Sequence, residues 1–151
     1  MSRRNLPPGT WIERRMFESR AFLALQGSAP QLLILFLGKR NFERVGKKGS
    51  QKLQCMNSDS ITFTYIEAEK KHGFTKPRFL RAVDDLLAKG FIEIKHQGGG
   101  YKQDKTLYGL SVKWSFWSPG TVFEKRKIDP VQRGFRRPKP VIKEQAGNVA
   151  E

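Results

Sequence analysis

The sequence predicts an α+β fold, and three features of residues 61–114 predict it. Two helix-like stretches are separated by room for only a tight turn. The second of them carries apolar residues at spacings of three and four, the period of a helix with one buried face. Two runs then alternate at period two around Gly98, Gly99 and Gly100, as a half-buried hairpin with a glycine tip requires.

Each element follows from local chemistry. Residues 61–63 read as a short strand leading into a helix. Thr64 with Glu67 fits a capping box, in which hydroxyl and carboxylate each satisfy one orphan backbone donor. Gly73 ends that helix by taking the left-handed conformation at little cost, and Thr75 caps the next. Pro77 falls in its first turn, where the missing N–H would have had no intrahelical partner. Phe79, Leu80, Val83, Leu86 and Leu87 form the buried face of this second helix. Arg78 and Arg81 therefore lie on the opposite side, with Asp85 one turn further and Lys76 at the N-terminal end. Gly90 closes the helix. Residues 91–97 read as one strand and residues 106–114 as its return, with Leu107, Leu110, Val112 and Trp114 as core candidates and Gly109 interrupting the alternation. Lys95, His96, Tyr101, Lys102 and Lys105 fall around the tip.

Helix, tight turn, helix and glycine-tipped hairpin is the order of a winged helix-turn-helix, with three to four helices, a β-hairpin wing and flexible basic termini. The segments Ile61-Thr-Phe-Thr-Tyr, His72-Gly-Phe-Thr, Arg78-Phe-Leu-Arg-Ala-Val and Leu86-Leu-Ala-Lys-Gly-Phe-Ile-Glu resemble the winged-helix domains of DNA-binding proteins. They are most similar to those of replication initiators and regulators of plasmids, phages and related mobile elements. The resemblance covers roughly the middle third of the chain, and transcriptional repressors share its motifs. It departs from the pattern at Ala68 and Glu69, where a bulkier apolar residue is common. It implies that the second helix enters the major groove while the wing follows a neighbouring groove or backbone. That puts Lys76, Arg78 and Arg81 on DNA, together with Lys95, Tyr101, Lys102 and Lys105 of the wing.

Composition agrees with a polyanionic partner. The 151 residues include 29 Lys and Arg against 14 Asp and Glu, a formal net charge of +15. Each phosphate neutralised by such a surface releases condensed counterions, which favours binding. The length suits one domain able to bury a core without disulfides or metal, and Cys55 alone cannot form an intramolecular disulfide. The expected setting is cytoplasmic and nucleoid-associated, since the basic N-terminus lacks the apolar stretch of a signal peptide. The run Leu32-Leu-Ile-Leu-Phe-Leu is far too short to cross a bilayer, so no membrane partner is expected.

The flanking segments are read more simply. Residues 1–10 form an arm with Arg3, Arg4 and the pair Pro7-Pro8, suited to disorder or to a phosphate backbone. The compact domain spans residues 11–123, opening with a helix over residues 11–25 and, after Gly27-Ser28-Ala29-Pro30, another that runs through Phe36 and Leu37 and ends near Lys39, Arg40 and Asn41. Leu32 to Leu37 reads as core, with docking of a partner helix as the alternative. Residues 44–60 read as a mobile basic loop, with a short strand at residues 52–56 beside the wing. Lys47, Lys48 and Lys52 there are either solvated or in contact with phosphate. Phe116, Trp117, Val122 and Phe123 read as a lid over the wing base, with base stacking as the sharper alternative. Residues 124–151 form a basic tail. From 121 to 143 the chain carries eight Lys and Arg, including Arg126, Arg136 and Arg137, against Glu124 and Asp129. Such a segment strengthens DNA binding without reading sequence.

Catalytic constellations fail one by one. His72, His96 and Cys55 have no zinc-site spacing, and the triple glycine lacks the Lys-Ser or Lys-Thr of a phosphate loop. Asp84 and Asp85 are adjacent on a helix and point apart. The expectation is a non-enzymatic, cofactor-free protein that binds double-stranded DNA. A homodimer, if one forms, would use a compact surface, since no heptads are present. The competing class is an RNA-binding or ribosome-associated protein that stacks bases on Tyr101, Trp114, Phe116 and Trp117.

Overall fold

The computed structural model describes residues 8–99 and 103–127. Within them the fold is mixed α+β, with five α-helices and two small antiparallel sheets. Two single turns come first, α1 (Arg14–Phe17) and α2 (Arg20–Leu23), followed by α3 (Ala29–Gly38). A hairpin of β1 (Phe42–Val45) and β2 (Lys52–Cys55) then precedes β3 (Ile61–Thr62), α4 (Tyr65–His72) and α5 (Lys76–Ala88). Strands β4 (Ile92–His96) and β5 (Leu107–Leu110) and a 3-10 turn at Lys113–Phe116 complete the order. The three-stranded sheet has the order β3-β5-β4.

The caps form as their chemistry requires. The Thr64 hydroxyl accepts from the Glu67 N–H at 3.2 Å, and the Thr75 hydroxyl from the Arg78 N–H at 3.4 Å. Gly73 has φ +69° and Gly90 φ +80°, the left-handed conformation that stops each helix. The Glu67 carboxylate, expected in a reciprocal capping box, instead accepts from Lys39 Nζ at 2.6 Å and so ties α4 to the end of α3.

The core lies between α3, α5 and the three-stranded sheet. Leu32, Leu33, Phe36 and Leu37 of α3 are buried, as are Phe79, Ala82, Val83, Leu86 and Leu87 of α5. These residues are therefore core, while Ile34 of the same α3 run is exposed. Phe36 packs between Phe63 and Tyr108, with ring centroids 5.1 and 5.2 Å away. Full burial of a side chain of this size contributes roughly 1.5–3 kcal/mol.

Three expectations are corrected. The helix over residues 11–25 is broken into α1 and α2 because Ser19 intervenes, donating to the Met16 carbonyl at 2.6 Å and accepting from the Phe22 N–H at 3.1 Å. The strand expected at residues 52–56 forms over Lys52–Cys55, but it pairs with β1, not with the hairpin of β4 and β5. The returning strand stops at Leu110, short of Trp114. Tyr108 pairs with Ile94 and is buried, Val112 lies past the end of the strand and is exposed, and the bulge falls on β4 between Ile94 and His96. Trp114 still reaches the core, carried by the 3-10 turn and stacked on Phe91 at 6.0 Å.

Candidate nucleic-acid interface

Helix α5 places three of the expected contacts together. Lys76, Arg78 and Arg81 are exposed on its N-terminal half. The turn before it is short because Gly73 reverses the chain and Phe74 is buried, its N–H bonded to the Ala68 carbonyl at 3.1 Å. Arg78 donates from Nε and Nη2 to the Ser28 hydroxyl at 3.2 and 2.7 Å, with its guanidinium 5.4 Å from the Phe74 ring centre. Arg81 Nε donates to the Pro77 carbonyl at 3.3 Å. Lys76 Nζ sits 5.8 Å from the Tyr65 ring. None of the three is in an ion pair among the described residues, so their charge is available to a polyanion. Arg78 and Arg81, but not Lys76, line a groove of about 590 Å³ together with Gln26, Ser28, Asp84 and Asp85.

Those two carboxylates would repel phosphate if they were bare. Each is neutralised within the protein. Asp84 pairs with Arg126, which donates from both Nε and Nη2, the latter at 2.9 Å. Asp85 pairs with Lys89 and accepts the Gln26 N–H at 2.9 Å. Arg126, expected in a free basic tail, is thus part of the packed molecule. The packed chain continues past Phe123, whose N–H donates to the Ala88 carbonyl at 2.9 Å, to Glu124, which accepts from Ile94 at 3.3 Å.

Lys95 is likewise committed internally. Its Nζ lies 2.8 Å from Glu93 and 3.7 Å from Asp59, and it reaches them by crossing Gly109, where a Cβ would come within 2.7 Å of Lys95 Cε. Lys113 approaches the same Glu93 at 3.6 Å. Lys105 is exposed on the connection between β4 and β5. Tyr101 and Lys102 of the hairpin, Arg136 and Arg137 of the tail, and Arg3 and Arg4 of the arm lie outside the described residues. The neck of the connection is closed by Gly98, whose N–H bonds the Thr106 hydroxyl at 3.1 Å, and by His96 Nε2 2.6 Å from Asp104.

The Lys95 hydrogen bond lowers the Glu93 carboxyl below its usual range; partial burial opposes this, and the charges of Lys95 and Lys113 add to it. A carboxyl depressed in the folded state contributes stability above its unfolded pKa, and that contribution is lost as pH falls through the folded value. Glu93→Gln is therefore expected to lower the thermal midpoint at neutral pH and to flatten its decline between about pH 6 and pH 3. Circular dichroism melts across that range read both effects, and parallel declines in the two proteins would reject the assignment.

Sequence reasoning missed the Ser28 anchor of Arg78 and the Asp84–Arg126 pair, whose partners are remote in sequence. It also missed the hairpin of β1 and β2, although Gly46 and Gly49 between two short runs signal a turn. Among the described residues no group of His, Cys, Asp and Glu is placed to hold a metal ion, and no helix is long and apolar enough to cross a membrane. Comparison with protein-family models, curated proteins and solved structures finds no match to the chain.

Proposed function

We propose that the chain is a winged helix-turn-helix protein that binds double-stranded DNA without catalysing a reaction. Helix α5 is its recognition helix and the β4–β5 hairpin its wing. The observation that carries the proposal is the cluster of Lys76, Arg78 and Arg81, exposed on the first turns of α5 and without carboxylate partners among the described residues. A recognition helix contacts base edges from its N-terminal residues, where an arginine fork to guanine is the commonest specific contact. The order α3, β3, α4, α5, β4, β5 supports the same reading, as does the net charge of +15. The resemblance of the helix-turn-helix segments extends it to a replication-initiator-like or transcription-regulator role.

The RNA-binding reading draws less support. Of its stacking candidates Trp114 is buried, and Trp117 is half-buried with Nε1 donating to the Thr121 carbonyl at 2.9 Å. Phe116 is exposed. The two readings separate in a competition experiment. A labelled duplex bound to the protein is challenged with unlabelled duplex, single-stranded DNA and an RNA hairpin at matched salt, followed by fluorescence anisotropy. Duplex is expected to compete best; an RNA hairpin that outcompetes it would transfer the assignment to the RNA class.

A further inference from the structure

No residue of β1 or β2 is buried, and the pair forms a sheet of its own. A two-stranded hairpin is at best marginally stable in water, and this one gains no core burial in return for being ordered. It is fastened at its base. The Asn57 side chain accepts from the Asn41 N–H at 2.7 Å and donates to the Lys39 carbonyl at 2.8 Å, and the Met56 N–H bonds the Asn41 carbonyl at 2.8 Å. At the far end Gly46 and Gly49, with φ +122° and +95°, shape a turn that carries Lys47 and Lys48.

Its charge is one-sided. Arg44, Lys47, Lys48 and Lys52 are exposed, and none is in an ion pair among the described residues; Glu43 is the acid on the strands. Lys39, Lys89, Lys95 and Arg126, by contrast, all have carboxylate partners. The register sets Arg44 opposite Leu53 and Val45 opposite Lys52, which places Arg44 and Lys52 on opposite faces of the ribbon. Cations on both faces and at the tip suit an element with phosphates on either side. A groove of duplex DNA provides that, and a two-stranded ribbon fits the major groove. Two copies of the chain meeting through this ribbon would bring like charges together.

We propose that the β1–β2 ribbon is a second nucleic-acid-binding arm, which enters a groove beside the α5 site and holds phosphates through Arg44, Lys47, Lys48 and Lys52. The inference rests on duplex binding through α5, and it adds to that binding a contact that positions the protein without reading sequence.

The test compares the full chain with a variant carrying Arg44→Ala, Lys47→Ala, Lys48→Ala and Lys52→Ala, and with a tip variant, Lys47→Glu with Lys48→Glu. Melting curves like that of the wild type show that both fold. Affinity for a long mixed-sequence duplex is measured across a salt series. Each phosphate contact contributes about 0.9 to the slope of log K against log salt, so the fourfold variant is expected to lose about 2 to 4 of it. The tip variant is expected to bind at least about tenfold more weakly at low salt. A duplex of a single helical turn should show a smaller difference between wild type and variants. An unchanged slope, in a protein whose Arg81→Ala variant still loses discrimination between sites, overturns the arm and leaves the α5 reading standing. A wild-type chain that does not bind duplex overturns both. If the variants change the sedimentation coefficient and not the slope, the ribbon is an interface between copies and the arm is again overturned.

Discussion

Gly90→Ala is expected to destabilise the protein by about 2–5 kcal/mol, combining left-handed strain of about 1–2 with overpacking of about 1–3. The residue has φ +80°, and a Cβ there would lie 2.6 Å from Lys113 Cβ, 2.8 Å from Phe123 Cδ2 and 2.9 Å from the Trp114 nitrogen. One of those neighbours is backbone and another is the stem of a side chain on the 3-10 turn, so the crowding cannot be relieved by a rotamer change. The Gly90 carbonyl also accepts the Trp114 N–H at 3.1 Å, which fixes the spacing between the two segments. Gly73→Ala is the matched control. It has φ +69° with nothing within 4 Å of the added Cβ, and it is expected to lose only the strain, about 1–2 kcal/mol. Urea unfolding of the two variants measures the difference. Equal losses would mean that the junction of α5, the 3-10 turn and Phe123 is looser than the geometry requires.

Arg81→Ala is expected to reduce discrimination between a selected duplex site and random duplex by roughly 1–3 kcal/mol, with little change in melting temperature. The side chain is exposed and its hydrogen bond to the Pro77 carbonyl lies within its own helix, so the fold does not depend on it. Arg78→Ala is expected to act on binding in the same direction, but it also releases Ser28 and so loosens the entry to α3. Paired binding isotherms on selected and random duplex read the effect. A loss equal on both duplexes would demote Arg81 from base reading to phosphate contact.

Much of the α4–α5 pair was legible because its determinants are local. Thr75, Pro77, Gly73 and Gly90 act within a few residues of themselves, and the spacing of Phe79, Val83, Leu86 and Leu87 reports a single buried face. The hairpin was half legible. Its strands were found, but β5 ends at Leu110, so Tyr108 entered the core while Val112, on the same alternation but past the end of the strand, stayed exposed. The bulge on β4 after Ile94 also changes which residues of that strand face inward beyond it, and nothing in the alternation records it. The partners of the charged residues were least legible. Lys95 and Arg126 look like free cations in sequence, and their carboxylates, Glu93 with Asp59 and Asp84, become neighbours only when the chain folds. That pairing takes Lys95 and Arg126 out of the free positive surface, while the first half of α5, Lys105 and the ribbon keep exposed cations without an ion pair among the described residues.

The same pairing gives α5 a polarity. Its first turns carry cations with no ion pair among the described residues, and its later turns carry carboxylates already held by Arg126 and Lys89. That polarity is what the proposed duplex contact through the N-terminal half of α5 requires, since its C-terminal half then adds no bare carboxylate.

The central claim is that this N-terminal half reads duplex sequence. Selection of bound molecules from a randomised duplex pool, with wild type and with the combined Arg78→Ala, Arg81→Ala variant, tests it most directly. The account predicts that a defined site is enriched by the wild type and lost in the variant, which still retains salt-dependent binding to any duplex. A pool that shows no enrichment with the wild type, or the same enriched site with the variant, would contradict it.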